Sequence, residues 1–364
     1  MLERRAFLLL GALALTACNK RSDDSAGANS TAAAERGGSK TVALNGAGAT
    51  FPFPLYSKWM AEYNRLYPNI RINYQSIGSG GGIRQIVAQT VDFGATDAPM
   101  KDDEAKNAPG KLLHIPTTIG SVVVSYNLQG VSTPIKLTPQ TLSGIFLGEI
   151  KKWNDQRLVA DNPEAKLPAI DIAVVYRTDG SGTTAVFTEY LAKVSPAWKE
   201  KVGAGKSVKF PVGLGAKGNE GVTGQVKTVP GAIGYVELAY ANQNKLPQAE
   251  IRNQAGKFVA PSPESATEAA AGIEMPDSLH VSLADAAGEG SYPLASYTYM
   301  LVYENAKDHV KGEALARFLW WAIHDGQQHA KNLDYAPLPA KVTAKIESRL
   351  RELRSGDKKL LDGV

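Results

Sequence analysis

The sequence predicts an α/β protein with a largely parallel sheet and helices on both faces. Two observations predict it. From Thr41 onward, short apolar runs alternate with stretches of helical period. Turns rich in glycine and hydroxyl groups sit where the apolar runs end. At 364 residues the chain is long enough for two domains with their own cores.

Residues 41–44 read as the first strand. Residues 54–67 carry Leu55, Trp59, Tyr63 and Leu66 at helical spacing. Residues 70–74 form a second strand. A helix over 83–89 places Ile83, Ile86 and Val87 on one face, and residues 91–95 form a third strand. Further strands are expected at 121–126 and 172–175, the latter followed by a helix over 185–191. Residues 138–146 and 221–229 read as helices. Residues 233–236 form a strand, with Gly231 and Gly234 marking turns. The stretch 255–290 is poor in aromatics and predicts no regular element. Residues 296–303 are an apolar, aromatic strand. The tail over 310–354 is mostly helical, with core-like Leu315, Phe318 and Leu319 and a break at Pro337 to Pro339. No internal repeat or heptad is present.

Composition is ordinary for a globular protein, with 43% apolar and 21% charged residues. A net charge of +4 is small for this length, and no dense Lys/Arg block occurs, so no nucleic-acid partner is expected. Arg4-Arg5 precede an apolar run over 6–15 that is too short to span a bilayer, the pattern of an export signal. It ends in Leu15-Thr16-Ala17-Cys18, which resembles a bacterial lipobox. That resemblance implies a signal peptide over 1–17, cleaved before Cys18, and lipid on the Cys18 thiol and the new amine. The plainer reading is a secretory peptide with an incidental cysteine. Arg4-Arg5-Ala6-Phe7-Leu8 also resembles a twin-arginine signal without its full pattern, which leaves the export route open. Cys18 is the only cysteine, which excludes an intramolecular disulfide or a multi-cysteine zinc site. Residues 18–39 are rich in Ser, Ala, Gly and Asp without periodicity, and read as a flexible tether.

In open α/β sheets, ligands bind beyond the carboxyl ends of strands. Those ends carry Gly46-Ala47-Gly48-Ala49-Thr50-Phe51-Pro52, Gly78-Ser79-Gly80-Gly81-Gly82, Gly94-Ala95-Thr96-Asp97-Ala98-Pro99 and Tyr176-Arg177-Thr178-Asp179-Gly180-Ser181-Gly182-Thr183-Thr184. A strand that turns into a helix offers free backbone N–H groups and the positive end of the helix dipole, a seat for an oxyanion.

Together with Pro230-Gly231-Ala232-Ile233-Gly234-Tyr235-Val236-Glu237 and Asn332-Leu333-Asp334-Tyr335-Ala336-Pro337-Leu338-Pro339, these segments resemble the periplasmic phosphate-binding component of ABC-type phosphate importers. The similarity runs from about Leu44 to the C-terminal helices. Each motif alone is weak, and six in the family's order are specific. The resemblance implies a two-lobed periplasmic binding protein of type II. Each lobe is a mainly parallel sheet flanked by helices, and a two-stranded hinge joins them. Lobe 1 would comprise residues 40–119 and 294–364, and lobe 2 residues 120–293. Phosphate would be clamped by Thr50, Phe51 (backbone), Ser79, Asp97, Arg177, Ser181, Gly182 (backbone) and Thr183, with Asp179 paired to Arg177. Gly80 stands where some relatives carry a second serine, while Gly78, Ser79 and Gly81 are intact. The resemblance also implies no catalysis, no cofactor and no metal. It implies a monomer, anchored by lipid in the periplasm of a bacterium, that delivers phosphate to a membrane-embedded ABC permease.

The residue types suit these roles. Arg177 supplies a planar cationic fork; a surface salt bridge with Asp179 is the plainer alternative. Ser79, Thr50, Ser181 and Thr183 supply hydroxyl donors, and helix capping is their ordinary use. The glycines let backbone N–H groups approach an anion, or merely loosen a loop. A P-loop is excluded, because no Gly-x-x-x-x-Gly-Lys-Ser/Thr occurs. The Asp97 carboxylate can accept a hydrogen bond from a P–OH group that sulfate lacks, which predicts discrimination between the two; an Asx turn before Pro99 is the alternative. A hydrolase using Ser181 is disfavoured. Asp179-Gly180-Ser181-Gly182-Thr183 is no Gly-x-Ser-x-Gly elbow, and His114, His280, His309, His324 and His329 lie outside the anion segments. Arsenate, which keeps a proton, stays open beside phosphate, as does a sensory or adhesive lipoprotein of the same fold.

Overall fold

The computed structural model describes residues 41–362. The expected signal peptide, Cys18 and the tether lie outside the described residues. β1 (Val42–Gly48) leads into α1 (Phe53–Leu66), which has Pro54 in its first turn, where a missing N–H is tolerated. Leu55, Tyr56, Trp59 and Tyr63 form the buried face of α1, and Trp59 Nε1 donates to Gly326 O at 2.7 Å. β2 (Ile70–Ser76) alternates exposed residues with buried or half-buried ones as a sheet-edge strand does. α2 (Ser79–Val87), β3 (Phe93–Thr96) and α3 (Asp102–Lys106) follow, then the long β4 (Leu112–Tyr126).

The middle of the chain forms β5 (Lys136–Leu137), α4 (Pro139–Phe146), α5 (Gln156–Asp161), β6 (Ala173–Arg177), α6 (Gly182–Val194) and α7 (Pro196–Lys201). Next come β7 (Leu214–Ala216), α8 (Gly218–Thr228), β8 (Ala232–Glu237), α9 (Leu238–Gln243), β9 (Glu250–Arg252), β10 (Phe258–Val259) and α10 (Pro263–Ala271). The chain ends with β11 (Ala295–Tyr303), α11 (His309–Ile323), two 3-10 turns, α12 (Ala340–Arg351), β12 (Arg354–Ser355) and β13 (Lys358–Lys359).

Among the described residues, eight strands form one sheet in the order β2-β1-β3-β11-β4-β8-β6-β7. The outer pairs β1/β2, β1/β3, β6/β8 and β6/β7 are parallel, as the strand-helix alternation predicts. The middle strands differ: β11 runs antiparallel to both β3 and β4, and β4 antiparallel to β8. β4 pairs with β11 through Ser121 and with β8 from Val122 onward, so one strand serves both halves of the sheet.

Sequence pattern predicts only residues 121–126 of β4. Pro116 cannot donate to a ladder, and β4 absorbs it at a register shift opposite Thr298 and Tyr299. The stretch 255–290 contains one short strand and α10. Ser262 starts α10 with a capping box, accepting from Ser265 N, a signal that composition alone conceals.

Side-chain alternation shows that helices cover both faces. Val174 joins the core that contains Phe187 of α6, whereas its neighbour Val175 packs with Val222 and Val226 of α8. In β11, Met300 and Val302 face the main core, and Leu301 faces Ile83 and Ile86 of α2. α2 lies so close to β1 that a Cβ on Gly82 would overlap the backbone of Gly48. Among the described residues, no helix is long and apolar enough to cross a membrane.

Candidate anion site

Each anion-site residue named from the sequence stands at the end of a sheet strand, in the turn after it or at the start of the helix that follows. Thr50 and Phe51 follow β1, Ser79 opens α2, Asp97 follows β3, Arg177 ends β6, and Ser181 to Thr183 begin α6. All of these residues are buried. Residues from the two halves of the sheet meet directly. Gly182 N–H donates to Ser79 Oγ at 3.0 Å, and Gly80 N–H donates to Gly180 O at 2.8 Å.

Arg177 is 5% exposed. Its Nε and Nη2 donate to Asp179 Oδ1 and Oδ2 at 2.8 and 2.6 Å, a two-pronged pair. Nη1 points to Thr183 Oγ1 at 3.4 Å. Asp179 also accepts from Gly218 N–H at 3.0 Å. Burial would raise the Asp179 pKa, but Arg177 outweighs it and holds the carboxyl below its usual value. The pairing of Arg177 with Asp179 is present, and it is interior rather than a surface bridge.

Asp97 is 2% exposed. Its Oδ1 accepts the Thr298 hydroxyl at 2.8 Å, its Oδ2 lies 3.5 Å from Ser79 Oγ, and its carbonyl accepts from Ser296 Oγ at 3.1 Å. Burial pushes its pKa up to about 7, against the opposing pull of Thr298, Arg177 and Ser79. Ser181 Oγ accepts from Thr184 N at 3.0 Å, so it caps α6 as a serine before a helix ordinarily does. Gly182 stands where a Cβ would fall on Asp97 Oδ2 and 2.6 Å from Ser79 Oγ.

Several buried polar residues of the site escape sequence reading. Thr298 and Ser296 lie on β11, a strand selected for its apolar pattern. Tyr240 Oη and Tyr335 Oη donate to the carbonyls of Thr50 and Phe51, each at 2.6 Å, and so fix the turn that carries both residues. Asn219 contacts both Thr50 and Thr183. Lys206 Nζ donates to Pro99 O and pairs with Glu104 at 2.7 Å, just beyond Asp97. One of these had a local signal: Lys217-Gly218-Asn219 is a further strand end that opens a helix.

Among the described residues, no histidine side chain hydrogen-bonds to a residue of this cluster. His114 Nε2 accepts from Met100 N at 3.0 Å, the His114 ring packs edge-on against His280, and His324 Nε2 lies 3.0 Å from Glu347. No group of His, Cys, Asp and Glu suited to a metal ion occurs among the described residues. The arrangement offers the Arg177 guanidinium, several hydroxyls, helix N-termini and the Asp97 carboxyl of raised pKa, which suits a small oxyanion that retains a proton.

A sequence model of the PBP superfamily domain matches residues 28–325. The chain is 43% identical over 348 residues to the phosphate-binding protein PstS of Xylella fastidiosa, covering 93% of this chain and 95% of that protein. It is 46% identical over 322 residues to the phosphate-binding protein PstS of Pasteurella multocida, covering 87% and 93%. Its fold resembles that of a high-affinity periplasmic phosphate-binding protein, PfluDING, solved with bound phosphate. That match has a TM-score of 0.69 and 21% identity, over 84% of this chain and 93% of the other.

Proposed function

The chain belongs to the PBP superfamily, among the phosphate-binding proteins named PstS, and on that premise we propose that it binds inorganic phosphate between two lobes and delivers it to a membrane-embedded ABC permease. Its relatives are named for binding, and it is a transport binding protein rather than an enzyme. The observation that carries the reading is the meeting of Thr50, Phe51, Ser79 and Asp97 with Arg177, Ser181, Gly182 and Thr183, drawn from opposite halves of one sheet.

In this reading residues 40–119 and 294–364 form lobe 1, and residues 120–293 form lobe 2. The exchange of partners along β4 at Ser121 and Val122, and the start of β11 at Ala295, support a two-stranded hinge at those points. Arg177, held by Asp179, neutralises the anion. The hydroxyls and the N–H groups of Phe51 and Gly182 surround its oxygens. Asp97 accepts the P–OH proton, and a fully ionised sulfate would instead present lone pairs to that carboxyl. The protein acts as a monomer in the periplasm, tethered through lipid on Cys18, and requires no cofactor or metal.

Calorimetric titration of protein stripped of co-purified phosphate tests the reading. The expected result is saturable binding of phosphate with no response to sulfate. Equal binding of sulfate would remove the proton-acceptor role of Asp97, and binding of neither would remove the anion assignment.

A further inference from the structure

Asn219 is fully buried in the first turn of α8 and joins the two halves of the site. Its Oδ1 accepts from Glu237 N–H at 3.0 Å. A backbone N–H only donates, which fixes the orientation of the amide: Nδ2 must face the other way. On that side Nδ2 donates to Thr50 Oγ1 at 2.7 Å and to Thr183 Oγ1 at 3.3 Å.

A hydroxyl has one proton and two lone pairs. Thr50 Oγ1 accepts a second time, from Asn219 N–H at 3.2 Å. Thr183 Oγ1 accepts a second time, from Arg177 Nη1 at 3.4 Å. Both lone pairs of each threonine oxygen are therefore taken by groups that only donate. Each proton must go to a third partner, and among the described residues neither hydroxyl donates to a protein group.

We propose that Asn219 sets the direction of these two hydrogen bonds, holding Thr50 and Thr183 as donors toward the bound anion, and so acts as a positioning residue for it. The inference rests on the phosphate reading above. Without the Asn219 amide, either hydroxyl is free to rotate and satisfy itself elsewhere, and the anion loses two oriented donors. The same amide spans residues assigned to both lobes, so its two bonds form together only when Thr50 and Thr183 come into register.

The test is a mutant cycle read by titration of the purified, phosphate-stripped protein with inorganic phosphate. Asn219→Ala is expected to lower affinity by about 10- to 100-fold, the loss of oriented hydrogen bonds to a charged group. In a Thr50→Val, Thr183→Val background the same substitution is expected to change affinity by less than about threefold, because the groups it acts through are gone. Asn219→Asp has nearly the same shape and can only accept; it is expected to lose more than Asn219→Ala, and it carries the cycle if the alanine variant fails to fold. An equal loss in both backgrounds would assign Asn219 a merely structural role and overturn the proposal, as would full affinity in Asn219→Ala. An unmodified protein that binds no phosphate would refute the phosphate reading itself, and the inference with it.

Discussion

Thr298 Oγ1 donates to Asp97 Oδ1 at 2.8 Å, which occupies one carboxyl oxygen with a protein donor and leaves Oδ2 toward Ser79 and the N-terminus of α6. Oδ2 is the oxygen on the side of Ser79 and Gly182, where the anion is proposed to sit. In Asp97→Asn the amide oxygen is expected to keep the Thr298 bond, so that an N–H group faces the anion instead. The phosphate-to-sulfate affinity ratio is expected to fall by about 10- to 100-fold, the equivalent of one buried acceptor left unpaired. Competition titrations measure the ratio, and an unchanged value would sink the discriminating role of Asp97.

Acidification is expected to relax the same discrimination. The raised pKa of Asp97, about 7, means the carboxyl gains a proton as pH falls through neutrality. A protonated Asp97 donates, and sulfate accepts. Sulfate affinity is expected to rise by up to about tenfold per pH unit on the alkaline side of that value and to level off below it. Calorimetry between pH 5 and pH 9 would show this, and a flat sulfate profile would contradict it.

Asp97 and His114 pull the pH dependence of stability in opposite directions. The folded pKa of Asp97, about 7, exceeds its ordinary 3.8, so between these values the folded protein holds more protons and stability falls as pH rises. Burial, with lesser contributions from His280 and Lys206, lowers the His114 pKa from 6.5 to about 3, so between those values the unfolded chain holds more protons and stability rises with pH. Each slope is at most about 1.4 kcal/mol per pH unit. Relative to the parent, Asp97→Asn is expected to gain stability from pH 4 to pH 7, and His114→Gln to lose relative stability from pH 4 to pH 6.5. Denaturant unfolding without phosphate would show both, and two curves parallel to the parent's would contradict both.

Gly182→Ala is expected to keep the fold and weaken binding of the anion. The new Cβ would overlap Asp97 Oδ2 and crowd Ser79 Oγ, and both belong to the opposite half of the sheet. Overpacking of this kind costs about 1–3 kcal/mol, or about 5- to 150-fold in phosphate affinity. Unchanged affinity would show that this contact gives way freely.

Arg177→Lys keeps the charge and loses the fork. A lysine cannot engage both oxygens of Asp179 and also reach Thr183 as the guanidinium does. Phosphate affinity is expected to fall by about 10- to 100-fold. Arg177→Met, which leaves the half-buried Asp179 carboxylate with only the Gly218 N–H as donor, is expected to destabilise the protein by about 1–3 kcal/mol. Titration and thermal unfolding check the two variants separately.

The strand-helix alternation and the chemistry of the strand ends are local properties, and the sequence alone determined them. Thr50, Ser79, Asp97, Arg177, Ser181 and Thr183 were each legible as polar residues at or beyond the end of an apolar run, and Gly182 as the glycine between two of them. So was the pairing of Arg177 with Asp179, which are two residues apart. The extent of β4 was not legible, because Pro116 breaks the local pattern and only pairing with β11 restores it. Nor were the partners that set each site group's state. Asn219 is 169 residues from Thr50, Thr298 is 201 from Asp97, and Tyr335 is 284 from Phe51. A hydroxyl in a sequence is equally donor and acceptor, and a carboxyl is nominally charged. Which way each hydroxyl points, and whether Asp97 holds its proton near neutrality, depend on burial and on groups that only the tertiary fold brings into contact.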